Sequence, residues 1–387
     1  AIMCENLMRV FMKNIILVIG EEIRYNAALM SYISRSYERV FGRMDDLKFL
    51  SENDKVLPFA LEKMIDSYDF ITIFAANSAY AVVGKILSTL SFDSLELKNG
   101  ETLAPSMART VAKNSFLLNV RGCSVNVIKA LCLQSLPPIL QDAPNAGESF
   151  YLFDCEYESV KQRLESLAIS YKISLTISRP CSFLLLVRAS AMKFGALDAF
   201  LQSVGKYYES CYIEGGDFMG FVVDRLREIG AKITFAESCT AGLIAAKFGA
   251  VAGVSDVFDG SLVSYANEIK NLWLNVGEDT LARYGAVSAQ TVGEMLEGAL
   301  QSSGASFALA VSGIAGPGGG SAQKPVGTVF IGAKEQGGKQ IVGEFHLKGD
   351  RNYICEQSAD IAICLLLKLR SDLFFGRLPS APARDEI

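Results

Sequence analysis

The segment Ala236–Ala246 reads Ala-Glu-Ser-Cys-Thr-Ala-Gly-Leu-Ile-Ala-Ala, a β-rich stretch giving way to strong helix formers. Ser238 stands at that junction, where the first helical N–H groups lack intrahelical partners. Ser238 or Thr240 could serve there simply as an N-cap. Alternatively, a hydroxyl beside those donors and the positive end of a helix dipole is a candidate nucleophile next to an oxyanion site. Cys239 is a rival nucleophile, since a thiolate is favoured at the same place; as a small apolar residue it could equally pack inward. A second segment, Gly260–Lys270, is Gly-Ser-Leu-Val-Ser-Tyr-Ala-Asn-Glu-Ile-Lys. Leu262-Val263 suggests a strand, and Asn267 begins the helix carrying Lys270. A surface lysine is the ordinary reading, but a desolvated lysine near a serine can lose its proton and act as base. Tyr265 could share the proton path or be a half-buried strand aromatic.

Three further stretches follow, and two of them could bind an anion. Leu309–Ser321 is an apolar strand running through Ser312 and Gly313 into the loop Gly316-Pro-Gly-Gly-Gly320. Glycines let backbone N–H groups approach a bound anion, although the loop lacks the Gly-Lys-Ser/Thr ending of a P-loop. Lys324-Pro-Val-Gly-Thr328 leads into another apolar strand, and Gly349-Asp-Arg351 ends the strand that holds His346. Arg351 could clamp a phosphate or carboxylate or make a surface ion pair.

The chain around these segments has 387 residues and one histidine. That single histidine excludes an HExxH metalloprotease and any site needing two histidines of one chain. It leaves acid–base work to Lys, Glu, Asp or Tyr. The net charge of −5, from 42 acidic and 37 basic residues, gives no electrostatic footprint for nucleic acid. No run of 18 apolar residues predicts a membrane-spanning helix, and Ala1–Arg9 lacks a signal-peptide pattern. Nine cysteines without CxxC spacing point to free thiols in a reducing cytoplasm rather than disulfides or a zinc ribbon.

Three blocks must position the chemistry. In the first, the apolar runs Asn14–Gly20 and Asp69–Phe74 read as buried parallel strands, with a helix from about Val56 to Ser67 between them. Ser115–Val120 is a weaker strand, followed by a helix-like segment to about Ile139. Gln141–Glu148 is rich in turn formers and reads as a linker. The second block, a small α+β module, has strands beginning at Tyr151 and Ser182 and helices over Glu158–Ala168 and Ala196–Tyr208. The third opens with a helix over Gly216–Ile229, whose Val222, Leu226 and Ile229 share one face and which Gly230 caps. The strand Ile233–Ala236 follows. The tail after Phe375 reads as a frayed end.

In this order, Glu-Ser-Cys-Thr-Ala-Gly, Tyr-Ala-Asn-Glu-Ile-Lys, Gly-Ala-Val-Ser (285–288), Ser-Gly-Ile-Ala-Gly-Pro, Lys-Pro-Val-Gly-Thr and Gly-Asp-Arg form a series. The series closely resembles the C-terminal domain of the CinA family (competence/damage-inducible protein A), over about 215–370. The resemblance implies hydrolysis of the carboxamide of nicotinamide mononucleotide to nicotinate mononucleotide and ammonia. It implies Ser238 as nucleophile, Lys270 as general base and Tyr265 as a catalytic partner. Glu237, Thr240, Ser255, Asn267, Ser312, Gly313, Gly316 and Arg351 would bind and polarise the substrate, with no metal and no cofactor. Val254 replaces the first serine of the family's Gly-Ser-Ser segment, and Ala241 stands where the usual motif has glycine.

The resemblance further implies an α/β, three-domain chain: a molybdopterin-binding-like domain (12–145), a small α+β domain (149–212) and the CinA-type α/β domain (215–372). In some members the first domain hydrolyses ADP-ribose with a metal ion. Here its marker loops read Gly20-Glu-Glu-Ile23, Ala75-Ala-Asn-Ser-Ala-Tyr80 and Arg121-Gly-Cys-Ser-Val-Asn-Val127. Lost glycines put Cβ atoms where a phosphate needs close backbone approach, so a degenerate domain without that activity is expected. A homodimer in the cytoplasm is expected, with a small nucleotide as substrate and neither nucleic acid nor membrane as partner. The alternatives are a pyrophosphatase acting through the first domain and a nucleotide-binding scaffold without turnover.

Overall fold

A computed structural model describes residues 13–42, 44, 46–142, 147–192 and 195–376. The chain divides into two compact units. One holds the residues up to Glu148 with Lys172–Ser174 and Ser190–Gly195; the other holds Ser149–Tyr171, Leu175–Ala189 and everything from Ala196 on.

The first unit is built from β1 (Asn14–Ile19), α1 (Glu21–Arg24), α2 (Ala27–Phe41), β2 (Asp46–Leu50), α3 (Leu57–Ile65), β3 (Phe70–Ala75) and α4 (Asn77–Leu90). It continues with β4 (Leu95–Lys98), β5 (Thr102–Pro105), β6 (Thr110–Ala112), β7 (Ser115–Val120) and β8 (Cys123–Lys129). Its six-stranded sheet has the order β2-β1-β3-β8-β7-β6. β1, β2, β3 and β8 run parallel, while β7 and β6 are antiparallel. The unbroken apolar runs of β1 and β3 are buried on both faces, as central parallel strands require.

The helix expected after Val120 is not there. β8 occupies its first half, paired to both β3 and β7, and Ala130–Asp142 carries no helix. Arg121 and Gly122, both at positive φ (52° and 91°), make the two-residue hairpin turn, the geometry that matches strand twist. Val125 and Val127 favour the pleated sheet, and Pro137-Pro138 excludes a helix beyond it. The buried Asn126 side chain donates to Ser115 Oγ (3.0 Å) and the Phe116 carbonyl (2.9 Å) and accepts from the Leu140 N–H (2.9 Å). Of the expected linker, Ala143–Ala146 lies outside the described residues, and Gly147-Glu148 already belongs to a strand.

The second unit begins with β9 (Gly147–Phe153), α5 (Tyr157–Tyr171), β10 (Ile173–Cys181), β11 (Leu184–Ala191), α6 (Leu197–Tyr207) and β12 (Tyr212–Glu214). Two strands were read from the sequence, whereas four form the sheet, in the order β10-β11-β9-β12. β10 escaped because its alternate residues are polar and half-exposed; β12 is only three residues long.

The remainder comprises α7 (Phe218–Glu228), β13 (Ile233–Glu237), α8 (Leu243–Gly249), β14 (Phe258–Val263), α9 (Asn267–Leu274), α10 (Glu278–Tyr284) and α11 (Ala289–Ser303). It ends with β15 (Phe307–Gly313), β16 (Thr328–Glu335), β17 (Gln340–His346), α12 (Arg351–Leu369) and α13 (Ser371–Phe375). Its sheet has the order β14-β13-β15-β16-β17, with the first three parallel and the last two antiparallel. Alternation along β13 and β15 divides the core. Phe235 and Leu309 pack with the α7, α8 and α12 side, whereas Ala236, Ala308 and Ala310 receive Val292, Met295 and Leu296 of α11. Gly230 follows α7 at φ +64°, the left-handed position expected of a helix-ending glycine. Gly298 of α11 permits close approach to α9, since a Cβ there would lie 2.0 Å from the Leu274 carbonyl oxygen.

Candidate active site

The parallel strands β14, β13 and β15 end together, with Glu237 opposite Val263 on one side and Val311 on the other. Crevices at such strand ends, beside a central strand, are where open α/β sheets bind ligands. Ser238 is the first residue past β13. Its N–H donates to the Val311 carbonyl (3.0 Å), and the Ser264 N–H donates to the Glu237 carbonyl (2.8 Å). The sheet ladder thus sets Ser238 beside the chain leading from β14 into α9.

Lys270, three residues into α9, is 1 % exposed. Its Nζ lies 3.1 Å from Ser238 Oγ, 2.7 Å from the Ser264 carbonyl oxygen and 3.0 Å from that of Tyr265. Burial lowers its pKa from the ordinary 10.5, because a charged amine loses hydration in the interior. Its three polar contacts match the three donors of a lysine amine, two to carbonyls and one to the serine oxygen. Burial acts oppositely on Cys239, which packs in the apolar core and whose thiol is pushed up to about 12. The thiolate that would make it a nucleophile is therefore suppressed.

The turn between β13 and α8 differs from the sequence expectation. The helix starts at Leu243 rather than at Ser238, its N-cap is Gly242, and neither Ser238 nor Thr240 caps it. The fully buried Glu237 carboxylate takes over that role. It accepts from the N–H groups of Gly242 (3.0 Å), Ile244 (3.1 Å) and Ala245 (3.0 Å) and from Ser261 Oγ (3.2 Å). Such charge-assisted bonds are what make a buried carboxylate tolerable. They also occupy donors expected to face Ser238. Ala241 has φ +51°, a left-handed conformation that strains an L-residue and that glycine at this position would adopt freely. The hydroxyls of Thr240 and Ser264 are buried without a hydrogen-bond partner among the described residues.

Arg351 opens α12, behind the N-cap Asp350. Its guanidinium donates to the Gly316 carbonyl (2.8 Å) and to Tyr265 Oη (2.5 Å). It therefore ties the glycine-rich loop to the β14–α9 junction. Tyr265 contributes its carbonyl to Lys270, while its ring is 56 % exposed and its hydroxyl faces Arg351 rather than the Ser–Lys pair. Ser312 is buried and donates to the Ala286 carbonyl (2.7 Å). Gly313 ends β15, where a Cβ would collide with Val329. Ser255, in a short 3₁₀ turn, and Asn267, in the first turn of α9, are exposed. No contact joins either of them to the Ser–Lys pair among the bonds described. His346 is exposed beside Glu344 (3.5 Å).

Residue type alone gives no separate role to Ser264 or Ser261, and Lys324 is marked only as the start of a motif. Lys324 donates to the carbonyls of Tyr284 (3.1 Å) and Val287 (2.6 Å), anchoring the 285–288 segment against the glycine-rich loop. Ser264 acts on Lys270 through its backbone carbonyl, a role no residue type announces.

The chain is a mixed α/β protein, and comparison with known proteins gives its family. The CinA C-terminal domain family matches residues 217–370. The "Nicotinamide-nucleotide amidohydrolase PncC" of Enterobacter agglomerans is 46% identical over 143 residues, 37% of this chain and 87% of that protein. A "CinA-like protein" of Thermosipho melanesiensis is 46% identical over 143 residues, 37% of this chain and 36% of that protein. The crystal structure of competence/damage inducible protein CihA from Agrobacterium tumefaciens, 41% identical, aligns with 40% of this chain and 96% of that one, at a TM-score of 0.39. The chain belongs to the CinA C-terminal domain family. It covers between 34% and 40% of the length of the CinA-like relatives it matches first. No described helix is long and apolar enough to cross a membrane.

Proposed function

We propose that the chain hydrolyses the carboxamide of nicotinamide mononucleotide, giving nicotinate mononucleotide and ammonia. The observation that carries this reading is the buried Lys270 amine, 3.1 Å from Ser238 Oγ with both carbonyls of the 264–265 turn behind it. Support for the substrate comes from the amidohydrolase relative, which the chain matches over most of that protein's length.

In this mechanism neutral Lys270 takes the Ser238 hydroxyl proton as Oγ attacks the carboxamide carbon. The tetrahedral intermediate collapses, the C–N bond breaks, and Lys270 returns the proton to the departing ammonia. A nicotinoyl ester on Ser238 remains. Water then attacks it, losing a proton to Lys270, and the ester oxygen leaves with that proton to regenerate the serine. Thr240, with its unpartnered hydroxyl, is assigned to the substrate. Arg351 and the 316–320 loop are assigned to the nucleotide end, and Ser312 and Gly313 to shaping the pocket floor. Glu237 supports the nucleophile turn from beneath.

The first unit, read as a molybdopterin-binding-like domain, is assigned no pyrophosphatase activity. The start of its α4 is already met by carboxylates. Glu22 accepts from the Asn77 N–H (3.4 Å) and Glu52 from Ser78 Oγ (2.9 Å), which opposes an anionic ligand there. The reading includes a three-domain organisation, a second copy of the chain as partner, and a reducing cytoplasm. Sedimentation velocity at micromolar concentration tests the dimer: a single monomeric boundary rejects it.

The decisive assay is ammonia release from nicotinamide mononucleotide by the wild-type, Ser238→Ala and Cys239→Ala proteins. Loss of release in the first variant alone supports the mechanism. Full activity in Ser238→Ala rejects it, and tight mononucleotide binding without ammonia release by the wild type favours a scaffold instead.

A further inference from the structure

Outside the residues matched by the family, the second unit holds two cysteines in close register. Cys155 follows β9 by two residues and Cys211 immediately precedes β12. β9 and β12 are antiparallel neighbours with Leu152 opposite Tyr212, and the Phe153 N–H donates to the Cys211 carbonyl (2.9 Å). The ladder therefore holds both backbones, and the two Sγ atoms lie 3.3 Å apart. Both residues are half-buried free thiols.

An open cavity of about 780 Å³ adjoins this pair, within the range of small-molecule sites. It is lined by Cys155 together with Ser159, Arg163, Ser166 and Tyr207, but not by Cys211. The Arg163 guanidinium stacks over the Tyr207 ring at 3.9 Å, which presents a cation to the cavity. Glu156 is spent on the start of α5, where it accepts from the N–H groups of Glu158 (3.0 Å) and Ser159 (2.7 Å). The two thiols are thus inequivalent: one faces the cavity, and the other stands behind it at bonding range.

We propose that Cys155 and Cys211 form a thiol–disulfide exchange site, at which Cys155 reacts with a small carboxylate-bearing disulfide in the cavity and Cys211 closes an internal disulfide. In the first step the Cys155 thiolate attacks one sulfur of the small disulfide. A mixed disulfide forms and one small thiolate leaves. In the second, Cys211 loses its proton to that thiolate and attacks the Cys155 sulfur, expelling the other half as a second thiolate, which takes up the proton released by Cys155. The small disulfide is reduced to two thiols, and the two cysteines are oxidised to one disulfide. The two thiols share a hydrogen bond in which either sulfur can donate, and of the two only Cys155 lines the cavity. This placement fits attack by Cys155. Bond formation needs the sulfurs to approach from 3.3 Å to about 2.05 Å, which side-chain rotation supplies.

A second pair, Cys181 and Cys364, provides an internal control. Their sulfurs are 3.7 Å apart, but both residues are buried. Exposure to a small disulfide should therefore favour the first pair.

The test incubates the full chain with oxidised glutathione, quenches samples with acid, alkylates the remaining thiols and maps peptides by mass spectrometry. The expected first product is the Cys155–Cys211 linkage, forming at least about tenfold faster than any Cys181–Cys364 linkage, as thiol access dictates. In Cys211→Ser, a glutathione mixed disulfide accumulates on Cys155; in Cys155→Ser, Cys211 stays unmodified over the same period. Far-UV circular dichroism matching the wild type qualifies each variant as folded, and the wild-type time course stands without either. Oxidation that links Cys181 and Cys364 first, or wild-type protein whose Cys155 reacts no faster than its other thiols, overturns the proposal.

Discussion

Each unit ends a central parallel strand near a helix N-terminus, and what surrounds the two strand ends differs. In the first, β1 lies between β2 and β3 and ends at Gly20; in the second, β13 lies between β14 and β15 and ends at Ser238. Both place a helix N-terminus nearby, and both meet it with acid. In the first unit Glu22 and Glu52 reach α4 from neighbouring segments. There is no room for a larger residue at Gly20, where a Cβ would lie 2.3 Å from that of Ala76. In the second unit the acid is Glu237, fully buried at the end of the strand itself. It satisfies the helix from below and leaves the upper side to Ser238 and Lys270. A shared topology supplies the strand end, while the placement of one carboxylate and one amine gives the two ends different surroundings.

That contrast can be broken most directly at the pair. Ser238→Ala is expected to lower kcat/KM for ammonia release by about 10⁴-fold or more, as removal of a nucleophile does elsewhere. Cys239→Ala is expected to stay within about tenfold of wild type, its penalty being one of packing. Equal losses in the two would place the chemistry elsewhere in the second unit.

Lys270→Met should reduce turnover by about 10²–10⁴-fold, the range for loss of a general base. In the wild type, kcat/KM should rise with pH through a lysine pKa below 10.5, since the proposed base is the neutral amine. The stability linkage has the same direction. With its folded pKa depressed, Lys270 binds fewer protons in the native state than in the unfolded one. Stability should then increase with pH between the folded value and the unfolded value. Urea midpoints compared across that window should rise in the wild type more than in Lys270→Met.

Glu237→Gln replaces an acceptor of backbone N–H bonds with an amide and should cost about 2 kcal/mol in urea unfolding. A change below about 0.5 kcal/mol would mean that the helix start does not depend on this carboxylate. Ala241→Gly relieves a left-handed alanine against a more flexible unfolded chain, so a gain of about 0.5 kcal/mol is expected. The smallest effect is expected at the other strand end. Glu52→Ala should alter stability by less than about 0.5 kcal/mol and leave ammonia release unchanged.

Legibility followed the physics of each element. The apolar runs of β1, β3 and β7 were evident because burial on both faces leaves no other composition. β8 was missed since Asn126 and Lys129 interrupt its pattern, and the buried partners of Asn126 come from 10 and 14 residues away. In the site, Ser238, Lys270, Tyr265, Gly316 and Arg351 are brought near one another, although Tyr265 turns its hydroxyl to Arg351. Glu237 was read as a substrate contact and instead holds a helix start. Nothing in residue type distinguishes those two uses of a carboxylate.

The amino-acid sequence by itself determined which groups are available: a serine at a strand-to-helix junction, a lysine 32 residues later, a glycine loop, and a single histidine. It also determined the alternation of strands and helices, since hydrophobic period is a local property. Only the tertiary structure decided that the lysine is buried, that carbonyls from the 264–265 turn receive its protons, and that Cys239 stays in the core. Desolvation and backbone hydrogen bonding belong to the surroundings of a side chain, and those surroundings exist only once β13, β14 and β15 lie side by side.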